Sequence, residues 1–188
     1  MKRNTDLDLI RAILIILMIL IHIVSFGNAY PHLKAGILSF MMPTFLIITG
    51  YLVNIEKTGR QMGNYLKCLA LPYVIMVTGF SVLSYYMPVR DGITELSLSQ
   101  IGEKIFVTSI GPYWFIQTMI ICGTLYYFCF SGRNWNDLRK NYTKRDTYAS
   151  LFVFALTLLL ISETPALSAS AAAYYFIGVV IRQSKTEW

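Results

Sequence analysis

Charge is scarce in this sequence. Asp, Glu, Lys and Arg make up 14% of its 188 residues, whereas a soluble globular domain carries about a quarter. With 55% hydrophobic residues and a mean hydropathy of +0.53, the shortage excludes an ordinary water-soluble core. It points to helices packed in lipid. Cysteine is also sparse. Cys68, Cys122 and Cys129 lie in apolar runs without CxxC or metal-ligand spacing, which excludes a disulfide framework and a cysteine metal site and leaves three small buried hydrophobes. Internal repeats and low-complexity segments are absent. The net charge of +6 does not point to nucleic acid; it fits the lysine and arginine excess of cytoplasmic loops.

What is present is a series of long apolar runs. About 20 mostly apolar residues cross roughly 30 Å of hydrocarbon, and six segments read as spans: 7–26, 35–53, 68–86, 105–130, 148–162 and 166–181. The expected class is an all-α integral membrane bundle, with the whole chain as one domain. Pro43 falls inside the second span and Pro72 near the start of the third, where neighbouring helices tolerate the lost hydrogen bond. In the fourth, Gly111-Pro112-Tyr113-Trp114 places the true helix start near Pro112, because proline at the first helical position loses no bond. Glu163-Thr164-Pro165 splits the last two spans, and the Ala/Ser-rich face over 166–173 suits close helix approach. Residues 27–34, 54–67, 88–104 and 131–147 read as polar connections.

Loop charge sets the orientation. Lys2, Arg3, Lys57, Arg60, Lys67, Arg133, Arg139, Lys140, Lys144, Arg145, Arg182 and Lys185 fall on one side, against Lys34, Arg90 and Lys104 on the other. Twelve against three places both termini in the cytoplasm of a multi-pass protein of the cell (inner or plasma) membrane. The sequon Asn141-Tyr142-Thr143 then lies in the cytoplasm, where glycosylation is not expected. Lys2 and Arg3 ahead of an apolar run resemble a secretion signal, but Asp6, Asp8, Arg11 and His22 are wrong for one, so no cleavage is expected.

The chemistry-bearing residues stand in the first run. His22 follows Arg11 by eleven positions, about three helical turns plus 20° and a rise of about 16 Å, so both point the same way at two depths. Asp8 precedes Arg11 by three, on nearly the same face. Ionisable groups in a membrane are costly and usually face a bundle interior or watery cavity. An unperturbed imidazole titrates at about pH 6.5 and so accepts and returns a proton near neutrality, while an arginine forks its donors towards phosphate or carboxylate. The residues also admit a plain reading, in which His22 bonds a neighbouring helix and Arg11 snorkels to the headgroups.

Asp8-x-x-Arg11 with His22 eleven residues later resembles the first-helix signature of membrane acyltransferase family 3. Phe40-Met41-Met42-Pro43-Thr44-Phe45-Leu46-Ile47-Ile48-Thr49-Gly50-Tyr51-Leu52 is similar to the family's H-M-P-x-F-F-x-x-S-G-Y/F-L run. Met41 stands for the frequent histidine, and Thr49 for serine with its hydroxyl kept. Tyr65-Leu66-Lys67-Cys68-Leu69-Ala70-Leu71-Pro72-Tyr73 resembles the family's basic approach to helix three, and Pro112-Tyr113-Trp114-Phe115-Ile116 its x-L-W-F-L element. Four segments in the family's order cover roughly residues 6–118. Longer members have about ten spans, so this chain is expected to correspond to the N-terminal part and to lack the C-terminal helices, with a partner chain as one source for them.

The resemblance implies transfer of an acyl group, usually acetyl from acetyl-CoA, to a hydroxyl of a cell-surface glycan or lipid-linked sugar, with no metal and no nucleic acid. It makes His22 the catalytic residue, either deprotonating the acceptor or carrying the acetyl group itself. Arg11 falls on the donor side. Lys67 either contacts the donor's phosphates or serves as a positive-inside anchor. Asp8 orients Arg11 or caps the helix, and Trp114 with Tyr113 either stacks on sugar or adenine or belongs to an aromatic belt. Gln117 reads as an interhelical hydrogen bond and Glu163 as a solvated turn residue. Two other readings compete: a small transport or flipping subunit, suited by broken helices and a buried His/Arg pair, and an inactive acyltransferase fragment.

Overall fold

The computed structural model describes residues 5–55, 57–87, 89, 91–131 and 144–185. Lys2, Arg3, Arg90, Arg133, Arg139, Lys140 and the sequon at 141–143, which entered the orientation argument, lie outside the described residues. The described chain is helical: α1 (Thr5–His22), α2 (Val24–Ala29), α3 (Pro31–Leu52), α4 (Gly59–Tyr86), α5 (Leu98–Phe106), a 3-10 turn (Gly111–Tyr113), α6 (Trp114–Ser131), α7 (Lys144–Ser162) and α8 (Ala169–Lys185). Among the described residues, four helical stretches are long and apolar enough to cross a membrane: Pro31–Leu52, Gly59–Tyr86, Gly111–Phe130 and Arg145–Ser162. α1 has 18 residues but carries Asp6, Asp8 and Arg11, and α8 has 17. Large apolar side chains point outward from α1 (Ile13, Ile16, Ile19), α4 (Leu71, Ile75) and α7 (Phe152, Leu159, Leu160), as on helices whose solvent is lipid.

Several boundaries differ from expectation. The polar turn over 27–34 shrinks to Tyr30, because α2 continues to Ala29 and Pro31 opens α3; proline fits the first helical turn, where the N–H it lacks would have had no intrahelical partner. α4 begins at Gly59, nine residues before the apolar run at Cys68, because Thr58 and Gln61 form a reciprocal capping box that satisfies orphan N–H groups. Residues 88–104 are not wholly a loop, and 105 does not open a span. Ser97 caps a separate short helix, α5, its hydroxyl accepting from the Gln100 N–H. Two helices do flank the Glu163-Thr164-Pro165 break, but the second begins at Ala169 rather than 166.

The chain divides into two compact units, Met1–Leu52 with Tyr174–Trp188, and Val53–Ala173. In the first, α1 packs on α3, burying Leu14 and Ile21 from one side and Ile37, Met41 and Phe45 from the other. Residues 174–185 of α8 meet α3 backbone to backbone. A Cβ at Gly50 would strike the Tyr175 carbonyl oxygen, and one at Gly178 the Ile47 carbonyl oxygen. Arg182 Nη1 donates to the Tyr51 carbonyl at 2.9 Å. Ala171 and Ala172 are buried, but the close backbone contact falls further along α8 than the Ala/Ser-rich face suggests, at the glycine that alone permits it.

In the second unit α6 contacts both α4 and α7. Tyr126 lies between Phe130 and Phe154, with ring centroids 4.9 and 5.6 Å away. Tyr127 Oη donates to the Lys57 carbonyl, while Tyr113 meets Phe80 with centroids 5.5 Å apart. The end of α6 therefore lies by the start of α4 and its start by the end of α4: the two run antiparallel.

Candidate functional site

α1 is unbroken from Thr5 to His22, so Asp8, Arg11 and His22 keep the helical register their spacing implies, with Arg11 and His22 about 20° apart around the axis. Leu7, Arg11, Leu14, Met18 and Ile21 follow a four-three spacing that marks the seam of a packed helix. Leu14 and Ile21 on this line are 3% and 1% exposed. Arg11 continues the line but is exposed, and Asp8 is half-buried. The guanidinium thus stands at the edge of the α1 seam, open to a solvated partner. The helix stops at His22, and Ile23 takes an extended conformation before α2 resumes. The His22 side chain lies outside the described residues.

The family-like run on α3 has a physical account. Thr49 Oγ1 donates to the Phe45 carbonyl at 2.7 Å, so the hydroxyl kept in place of serine closes onto its own helix. Gly50 is the close approach to α8. Met41, standing for the family's frequent histidine, is fully buried; this position is apolar packing in the first unit.

Lys67 and Trp114 both belong to the second unit. Lys67 is exposed on α4, in register with exposed Arg60 and Leu71 and about 100° round from the Tyr73–Val77 side. Trp114 opens α6 and is 37% exposed. Its neighbour Tyr113 sits at the level of Phe80, thirteen residues beyond Lys67, or about 20 Å along α4. The two side chains therefore occupy different levels of this unit. Glu163 is exposed at the α7–α8 break.

Gln117 is 5% exposed, and its Nε2 donates to the Phe106 and Val107 carbonyls at 3.1 and 3.3 Å, the bond to another helix that its place on α6 suggested. Tyr73, the tyrosine of the Leu-Pro-Tyr run, donates from Oη to the Ile105 carbonyl at 2.8 Å. Together they satisfy the last carbonyls of α5, an anchor that sequence reasoning missed. Gly178 was missed as well; its signal was a lone glycine four residues before the basic Arg182 on an otherwise apolar helix.

No curated protein and no solved structure is matched by this chain. A family model described as an acyltransferase domain, acyltransferase family 3, matches residues 4–188. The match takes in the α1 signature, the Thr49-Gly50 run and the Pro112–Trp114 element, and it continues past residue 118, where the motif resemblance stops, through α7 and α8. The chain belongs to acyltransferase family 3, a family of membrane acyltransferases.

Proposed function

We propose that this protein transfers an acetyl (acyl) group from acyl-CoA to a hydroxyl of a cell-surface glycan or lipid-linked sugar. The observation that carries the reading is the family match over residues 4–188 falling on a continuous α1 that holds Arg11 and His22 in one register. His22 takes the proton of the acceptor hydroxyl as the new C–O bond forms; the thioester C–S bond breaks and the departing thiolate is protonated. Arg11 and Lys67 draw the donor's phosphates, Arg11 by its bidentate fork and Lys67 as a point charge. Asp8 orients Arg11, and Trp114 offers a ring face to the sugar. The working topology has six crossings, with both termini in the cytoplasm of the cell (inner or plasma) membrane.

Glycan mass spectrometry on cells with and without the gene tests the reaction, the expected result being one acetyl increment that depends on the gene. His22→Ala is expected to lower transfer by about 10²–10⁴-fold, the range of general acid–base contributions. Arg11→Lys keeps the charge but loses the fork. Losing a charge-assisted bond of about 1.5–3 kcal/mol raises the donor KM roughly tenfold or more, with kcat less affected. Full activity in both variants sinks the mechanism. Uptake or flipping by the purified chain without acetyl transfer favours the transport reading instead.

A further inference from the structure

After α4 the chain folds back along that helix. Between Lys67 and Arg90 the sequence carries no charge. The helical part of this stretch, residues 68–86, rises about 27 Å, close to the hydrocarbon thickness it must cross. Little slack is left, so Val77 at its centre marks mid-depth to within about a turn. Against that scale, the Ile93 N–H donates to Ser84 Oγ at 3.1 Å, near the α4 end. Tyr73 Oη donates to the Ile105 carbonyl at 2.8 Å, and Ile105 packs with Tyr73, Val77 and Ile110. α5 therefore runs antiparallel to α4, from near its end to mid-depth. Gln117 Nε2 holds the next two carbonyls there. Residues 107–110 turn outside any helix, and Tyr113 meets Phe80, almost one turn back towards the α4 end.

This path carries charge to a depth where lipid cannot solvate it. Glu103 stands about 160° round α5 from Ile105, away from α4, and about 3 Å from its level. Both Glu103 and Ser99, four positions earlier, are exposed. Glu103 Oε1 accepts from Thr108 Oγ1, and Lys104 Nζ donates to the same hydroxyl, each at 3.4 Å. Ionisable groups at such depth face a bundle interior or a watery cavity, and non-helical backbone there is tolerated only inside protein or beside water. Exposed Glu95, just ahead of α5, begins a polar line that passes through Ser99 to Glu103. The line leads inward from the α4 end, and water can follow it. We propose that residues 93–113 form a re-entrant loop, and that this line is one wall of a water-filled cleft, open where α4 ends and closed near mid-depth, that admits a sugar. Admission of the sugar rests on the acyl-transfer reading, for which the cleft is the acceptor's way in; the re-entrant path and its water do not.

The full chain in phosphatidylcholine vesicles tests each part. In the unaltered protein, Glu103 is expected to couple glycine ethyl ester through a water-soluble carbodiimide, read by peptide mass spectrometry. No coupling, whether or not lipid-borne dicyclohexylcarbodiimide reacts, places the carboxylate in lipid or protein and overturns the cleft. Depth is read from a bimane on Ile75→Cys, at the level where α5 ends, in a background with Cys68, Cys122 and Cys129 replaced. Stronger quenching by a mid-chain than by a headgroup nitroxide lipid is expected, and the reverse overturns the re-entrant path. In the same background Ser99→Cys and Glu103→Cys are expected to react with a glucose-bearing thiosulfonate several-fold faster than Ile75→Cys does. Equal rates overturn the cleft. Reaction with a small trimethylammonium thiosulfonate but not with the glucose reagent overturns admission of a sugar. If the glucose reagent enters while no acetyl increment depends on the gene, the cleft stands and acyl transfer falls.

Discussion

At Gly50 and Gly178 a single methyl group decides whether two helices can meet. In each case the added Cβ would run into backbone of the other helix, which has no side-chain torsion with which to yield. Overpacking of this kind costs about 1–3 kcal/mol, so Gly50→Ala and Gly178→Ala are expected to lower the unfolding temperature in detergent. Gly36 and Gly79 provide the contrast: nothing lies within 4 Å of a Cβ at either, and alanine in a helix interior is worth about 0.5–1 kcal/mol over glycine. Gly36→Ala and Gly79→Ala are thus expected to be neutral or stabilising. Cys122, 0% exposed, supplies the reading, since a thiol-reactive dye reaches it only on unfolding once exposed Cys68 and half-buried Cys129 are replaced. Gly111 fails for a different reason. Its φ of +56° is a left-handed conformation that costs other residues about 1–2 kcal/mol, and Gly111→Ala is expected to destabilise the turn that aims Tyr113 and Trp114.

Among the elements, α5 depends on side chains from two others. Tyr73→Phe and Gln117→Leu each remove a donor from the half-buried carbonyls at the end of α5, at a cost of about 0.5–1.5 kcal/mol. Amide hydrogen exchange is expected to quicken over 98–107 in both variants while α6 and α7 keep their protection; unchanged exchange in α5 contradicts the anchor. The α6–α7 contact rests on rings, and Phe154→Ala removes a fully buried one beside Tyr126, for an expected loss of about 3–5 kcal/mol in the same dye assay. α1 was legible from its sequence because its register is a property of one continuous helix. α5 was not, because charged Glu103 and Lys104 lower its apolar content and the bonds holding it come from residues 32 and 11 positions away.

For the molecule as a whole, membrane residence and family membership follow from composition and from motifs spread along the chain. The twelve-to-three division of Lys and Arg yields a topology prediction: a reporter that works only in the cytoplasm, fused after Trp188, is expected to be active. Activity only on the opposite face reverses the orientation and with it the side on which Arg11 meets the donor. Of the candidate residues, Asp8, Arg11 and His22 lie on one continuous helix, while Lys67 and Trp114 stand at separate levels of the second unit.

The sequence by itself determined the solvent, the helical class, the family and the placing of Arg11 and His22 on one helix, because apolar content and helical periodicity are local properties of the chain. The tertiary structure decided where helices begin, which glycines carry the α3–α8 contact, and that residues 98–106 form an anchored helix. Those outcomes depend on caps and on partners distant in sequence, which no window of neighbouring residues contains.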